Sequence, residues 1–230
     1  MARLPRLAVG GRLHLVAHSA AAGQPVFRDG VDRTNYLSAL RDAAKECQVA
    51  VHAYALLDDE VQLLLTPAQA ADLTRVMQKT ARRYVGGFNS RHACRGSVWG
   101  SRFRSAVVEA ESFLLPCMVA IEQAPVRCRL AAVPEEWKWS SAAHHLGRRV
   151  DPLISAHPWL WRLGNTPFER EARYREILER MLTSSDIERL QAALARGWAL
   201  GSAAFVEDIE RATVRRVRPA ARGRPRTVHQ

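Results

Sequence analysis

The sequence predicts an α+β fold, an antiparallel sheet with helices packed on one face, followed by a helical C-terminal extension and a basic tail. Three observations predict it. Short apolar stretches that alternate with period two are interleaved with longer stretches at helical spacing, in the order strand, helix, hairpin, helix, strand, helix. The 230 residues, 47% hydrophobic and 25% charged, suffice for one well-buried domain with an appendage. Beyond about residue 148 the character changes to a Trp-rich connector, helical patterns and a run of arginines.

RLHLVAHS, Arg12 to Ser19, alternates like a half-buried strand. After the turn-rich AAGQPVFRDG, Val31 to Glu46 carries Tyr36, Leu37, Leu40, Ala43 and Ala44 at helical spacing. Gln48 to Leu57 and Glu60 to Thr66 read as strands joined by a hairpin turn at Asp58 and Asp59. Ala68 to Asn89 is a helix with Leu73, Val76, Met77 and Thr80 on its apolar face. A fourth strand, FRSAVVEA, lies within Gly96 to Ala110, and Glu111 to Gln123 is a helix that Pro125 terminates. Residues 1–148 thus form the α+β domain and 149–213 the extension.

In the extension, HPWLWRLG is a connector whose rings serve as packing anchors. Pro167 to Leu182, Ser185 to Arg196 with Asp186 near its start, and Ala203 to Ala212 read as amphipathic helices. The tail, residues 214–230, includes RRVRPAARGRPRTVHQ, seven basic residues counting Arg211 just before it, and no acid. Such a run cannot bury a core and is expected to order only on an anionic partner.

Charge narrows the function. Lys and Arg number 34 against 23 Asp and Glu, a formal +11, and nearly all the bases are arginine. An excess of this kind attracts polyanions, and arginine makes forked hydrogen bonds to phosphate and guanine, so nucleic acid is the leading partner. Within the tail, RGRPR (Arg222, Arg224 and Arg226) reads either as an AT-hook core, its arginines lying in a narrow minor groove, or as a generic grip on any phosphate backbone. Cys47, Cys94, Cys117 and Cys128 show no CxxC pair and no His at zinc-finger spacing, and read as reduced thiols, three of them buried. The N-terminus lacks a signal-peptide core and no stretch reaches the roughly 18 apolar residues of a membrane span. A soluble cytoplasmic protein without membrane partners is expected.

HAYALLDDEVQLLL, residues 52–65, raises a chemical question. Glu60 and Gln62 flank Val61 and so share a face, just where a strand-borne pair of metal ligands would sit. GRLHLVAHS, GQPVFRDGVDRTNYLSALRDA, HAYALLDDEVQLLL, RRYVGGFNSRH, GSVWGSRFRSAVVE, AIEQAPVRCRL, EEWKWSS and RGWALGSAAFVEDIE with RRVRP and RGRPR, in that order, resemble the REP-associated tyrosine transposases. These are bacterial, nucleoid-acting relatives of the single-tyrosine, HUH-type transposases of insertion sequence 200. The resemblance implies a ferredoxin-like domain that binds DNA hairpins formed by palindromic repeats. It also implies a cleavage site: a His-apolar-His pair on a strand and an amide on a later helix hold a divalent metal such as Mg or Mn, and a tyrosine attacks the polarised phosphate.

Carried over residue by residue, the resemblance sets the two histidine positions at Glu60 and Gln62, the nucleophile at Ala120 and the assisting amide at Ala124. All four are replaced, so no catalytic residue, metal or cofactor is expected, and the reading is a catalytically inactive DNA-binding member of the family. The DNA-facing segments of the family fall on Lys79, Arg82, Arg83, Arg91, Arg95, Arg102 and Arg104, extended by Arg127 and Arg129. An alternative keeps an active transposase, with Glu60 and Gln62 as unusual ligands and Tyr84 as displaced nucleophile, or with His14, His18 and His52 as a displaced metal site. A third reading is an RNA-binding or protein-interaction module. Oligomeric state and DNA target stay open.

Overall fold

In the computed structural model, which describes residues 6–21, 24–180 and 182–218, LHLVAHS forms β1 (Leu13–Ser19) at the centre of a five-stranded sheet. α1 (Gly30–Glu46) starts at Asp29, whose carboxylate accepts from the Val31 and Asp32 amides at 2.9 and 3.0 Å. The hairpin pairs β2 (Val49–Leu56) with β3 (Glu60–Pro67). α2 (Ala70–Arg91) begins two residues later than its apolar stripe suggests, because Gln69 and Asp72 form a reciprocal capping box. β4 (Arg104–Val108) then pairs with β1 on the side opposite β3. The strand order β2-β3-β1-β4, with α1 and α2 on one face, is the ferredoxin-like arrangement.

Two features go beyond that pattern. α3 (Ala110–Glu122) lies on the opposite face, so helices cover both faces and not one. The strands explain this. RLHLVAHS is not half-buried: His14 and His18, which read as its polar positions, are 0% and 6% exposed, and β2 is buried along nearly its whole length. Strands apolar on both sides need cover on both sides. A bulge at His52, between Val51 and Ala53, shifts the phase of β2 and sends Ala53 and Ala55 to the α3 side, where small side chains let the helix approach.

The residues after 148 join this second layer. The one-turn helices α4 (Ala124–Arg127) and α5 (Ala142–His145) lead to α6 (Pro167–Glu179), α7 (Ser184–Arg196), β5 (Ala199–Leu200) and α8 (Ala203–Thr213). Pro125 sits in the first turn of α4; the α3 helix ends just before it. β5 pairs with β4 in parallel, so the sheet is mixed at that edge. In the HPWLWRLG connector the buried anchor is Leu160; Trp161 is exposed, with Arg170 stacked over its ring at 4.9 Å. Cys47 and Cys117 are buried, Cys94 only partly, and Cys128 is exposed. Among the described residues no helix is long and apolar enough to cross a membrane.

One buried carboxylate ties the layer together. Glu122, at the end of α3, accepts hydrogen bonds from Ser141 Oγ at 2.5 Å, His145 Nδ1 at 2.6 Å and Tyr174 OH at 2.7 Å. Gln123 beside it donates to the Leu178 carbonyl at 2.8 Å. These bonds join α3 to α5 and α6. Replacing Glu122 with Ala strands three buried polar partners and is expected to lower unfolding free energy by about 3 kcal/mol, read by urea titration, with Glu122→Gln costing less.

Burial also holds three imidazoles neutral. His14, His18 and His52 are each pushed from 6.5 down to about 4, chiefly by burial. Below pH 6.5 the unfolded chain takes up protons that the folded chain refuses, so stability falls with pH. The urea midpoint is expected to change little above pH 7 and to decline between pH 6.5 and 4, each histidine contributing about 1 kcal/mol per pH unit across that window.

Candidate nucleic-acid interface

On β3, Val61, Leu63 and Leu65 face α1 and α2, which leaves Glu60, Gln62 and Leu64 on the α3 side. Register then lines up Arg104, Ala17 and Gln62 across β4, β1 and β3. The result is a cavity of about 260 Å³ whose walls include Glu60, Gln62, Arg104, Ala120 and Arg127. Its remaining wall comes from α7, through Ile187, Leu190 and Leu194 at helical spacing. Three of the four replaced positions named above therefore meet in one place. The fourth, Ala124, is buried in the first turn of α4 and does not line the cavity.

The polar groups in this cavity are engaged with one another. Glu60 accepts from Ser19 Oγ at 2.7 Å through one oxygen and from Gln62 Nε2 at 2.8 Å through the other. Arg104 Nη2 lies 3.4 Å from Glu60 and 3.2 Å from Ser19 Oγ. Arg127 is exposed as a residue, but its Nη2 donates to the Ala120 carbonyl at 2.5 Å, and burial of the guanidinium lowers its pKa. This donor set does not fit a divalent ion: the one carboxylate is already matched by an amide, a hydroxyl and a cation, and Gln62 presents its NH₂ group to that carboxylate. Among the described residues no three His, Cys, Asp or Glu side chains gather to hold a metal.

The displaced residues lie elsewhere. Tyr84 is buried on the α1 and α2 side, its hydroxyl donating to the Val26 carbonyl and its ring packed with Phe27, Tyr36, Phe88 and Trp99. It is on the face away from Ala120. Tyr54 is buried and donates to Asp151 at 2.6 Å. His14 bonds the Arg12 carbonyl, His18 stacks on Trp99 and bonds the Ser101 carbonyl, and His52 sits between Ser155 and Thr66. Each histidine has its own partners and the three form no common site.

The basic residues divide into two groups. Lys79 and Arg83 share Glu46, whose carboxyl they hold below its usual range, and Arg91 pairs with Asp29 and with Asp32, which is buried. Those three cations are matched by acids at the α1–α2 surface. Arg82, Arg95, Arg102 and Arg129 are exposed, and Arg104 and Arg127 line the cavity. Arg222, Arg224 and Arg226 lie outside the described residues. Sequence reading missed Ser19 as the partner of Glu60 and α7 as a wall; the Ile187, Leu190, Leu194 stripe was visible, but nothing in it says which surface it covers.

No protein-family model matches the sequence, and no curated protein matches it. Among solved structures the chain is similar to a REP-associated tyrosine transposase bound to a REP hairpin, at 12% identity and a TM-score of 0.56, over 69% of this chain and 93% of that one. A crystal structure at 1.90 Å of a Deinococcus radiodurans R1 protein, described as a candidate transposase, aligns at 18% identity and a TM-score of 0.37, over 56% of this chain and 95% of that one. The first likeness shows the fold: the described chain shares the overall fold of that transposase.

Glu60 and Arg104 are both partly open to solvent, so their attraction is screened. Glu60→Ala is expected to change unfolding free energy by less than about 1 kcal/mol in urea titration, leaving the fold intact for binding assays.

Proposed function

We propose that the chain binds hairpin or palindromic DNA and does not cut it. One observation carries the second half: the wall of the cavity that holds Glu60 and Gln62 has Ala120 where the resemblance sets the nucleophile. A methyl group cannot attack phosphorus, and the tyrosine nearest in sequence terms, Tyr84, is sealed in the other core. The engaged state of Glu60 supports a chain that works without a metal cofactor.

The binding half is supported by the formal +11, by the exposed arginines and by the fold shared with a protein that holds a REP hairpin. On this reading the stem-loop docks on the α+β domain through Arg82, Arg95, Arg102, Arg104, Arg127 and Arg129, and the arginine-rich tail, with Arg222, Arg224 and Arg226, adds affinity by tethering to adjacent duplex. The chain acts on the bacterial nucleoid, marking or shielding repeated palindromes.

The test is incubation of the full chain with labelled hairpin DNA carrying single-stranded flanks, with manganese present. Expected are a retarded complex that weakens steeply as salt rises and intact DNA after denaturation. A covalent protein–DNA adduct, or a shortened strand, would overturn the inactive reading; absence of any complex at low salt would overturn the binding reading.

A further inference from the structure

A separate cavity of about 190 Å³ lies between α5, the HPWLWRLG connector and α6, and shares no residue with the cavity of Glu60 and Ala120. Leu160, Leu163, Pro167, Tyr174 and Trp161 give it an apolar lining, and the Trp161 indole is left 62% exposed. A cavity of about 150 Å³ accepts a benzene ring, so this one has room for a ring with a short side arm.

Two hydrogen-bond acceptors in its wall have no partner. The His145 ring is fixed by Nδ1, which donates to Glu122 at 2.6 Å, and by an edge contact with the Tyr174 ring at 5.4 Å between centroids. With the proton on Nδ1, a neutral imidazole leaves Nε2 as an acceptor. The side chain is 7% exposed, and no described residue bonds that nitrogen. Glu171, on α6, supplies the second acceptor, and no described residue pairs with it or donates to it. Its carboxylate lies over Gly147, two residues beyond His145, where any Cβ would collide with it. Glycine at 147 therefore serves the left-handed turn, at φ +68°, and leaves the carboxylate its place beside the end of α5. A buried acceptor without a donor is costly, and a ligand N–H relieves that cost.

We propose that this cavity binds a small organic amine, its ammonium group donating to Glu171 and His145 and its apolar body covering Trp161. The inference goes beyond the DNA-binding reading and does not rest on it. Glu171 favours a cation over a neutral donor, and the carboxylate offsets the cost of taking an ammonium out of water. Little in the wall opposes a positive charge. Burial lowers the pKa of His144, the other imidazole lining the cavity, and keeps it neutral. Arg170 is engaged with the Gly164 carbonyl at 3.0 Å and with the Trp161 ring.

Isothermal titration of the full chain with benzylamine, benzyl alcohol and benzoate compares similar shapes that differ in charge. Benzylamine is expected to bind with a dissociation constant below about 1 mM, and each of the others at least about tenfold more weakly. Glu171→Gln is expected to weaken benzylamine binding about tenfold at an unchanged urea midpoint, because the carboxylate has no partner in the fold. Ala156→Phe places a ring in the cavity from an exposed position in its wall and is expected to abolish binding. His145→Asn keeps an N–H for Glu122, removes Nε2 and is expected to cost about fivefold in affinity. No benzylamine binding up to about 10 mM, equal binding of benzyl alcohol or benzoate, or unchanged affinity in Glu171→Gln or Ala156→Phe each overturns the inference, whether or not His145→Asn folds. DNA takes no part in these titrations, so their failure leaves hairpin binding untouched. A chain that ignores hairpin DNA yet binds benzylamine in this way upholds the amine site alone.

Discussion

A sheet whose central strands are apolar on both sides cannot be stabilised by a single helical layer, and this constraint organises the molecule. Val16, Leu63 and Leu65 are buried against α1 and α2, while Leu15, Leu64 and Ala53 require α3 on the other side. α3 alone is too short to cover that face, so the segments after residue 148 complete it: Leu160, Tyr174, Leu178 and Leu190 belong to the same buried cluster as Leu114 and Met118. The extension is thereby part of the fold's second core. Glu122 acts as its polar pin, a buried carboxyl made tolerable by three donors.

Where the second layer is incomplete, the cavity remains. Two polar residues on an otherwise apolar strand face would be costly if sealed. Glu60 and Gln62 avoid that cost by bonding each other, by taking Ser19 and Arg104 as neighbours, and by keeping partial contact with solvent. The α1–α2 surface solves a similar problem differently. There Arg91 and His92 converge on the buried Asp32, and Asp29, held well below the usual carboxylate range chiefly by its hydrogen bond from Arg91, caps α1 at the same time. On that side Lys79, Arg83 and Arg91 are matched by acids that hold two helices together, while Arg82 and Arg95 are left exposed.

Much of the fold was legible in the sequence because its signals are local. The hairpin at Asp58 and Asp59, the stripe of α2 and the alternation of β3 all follow from residues within one element. Tyr84 is a packed ring, as an aromatic on the apolar side of a helix usually is. What failed to show was long-range. The polar appearance of His14 and His18 hid a buried face, because imidazole can be made neutral and bonded to backbone carbonyls. The gathering of Arg6, Arg196 and Arg215 around the start of β4, and the cover that α7 gives to the Glu60 cavity, depend on packing that no period encodes.

The sheet's borders carry a consequence of their own. Along β2 the outer side is bridged at Val51 to Ile154 and at Ala55 to Ser140, and beyond β4 the short β5 is bonded in turn to Val217 through the Ala199 amide. Both margins of the ladder are thus occupied by the chain's own later segments. Among the described residues the row of amides and carbonyls along each margin is interrupted, which works against self-association by strand addition, the commonest hazard of exposed edges.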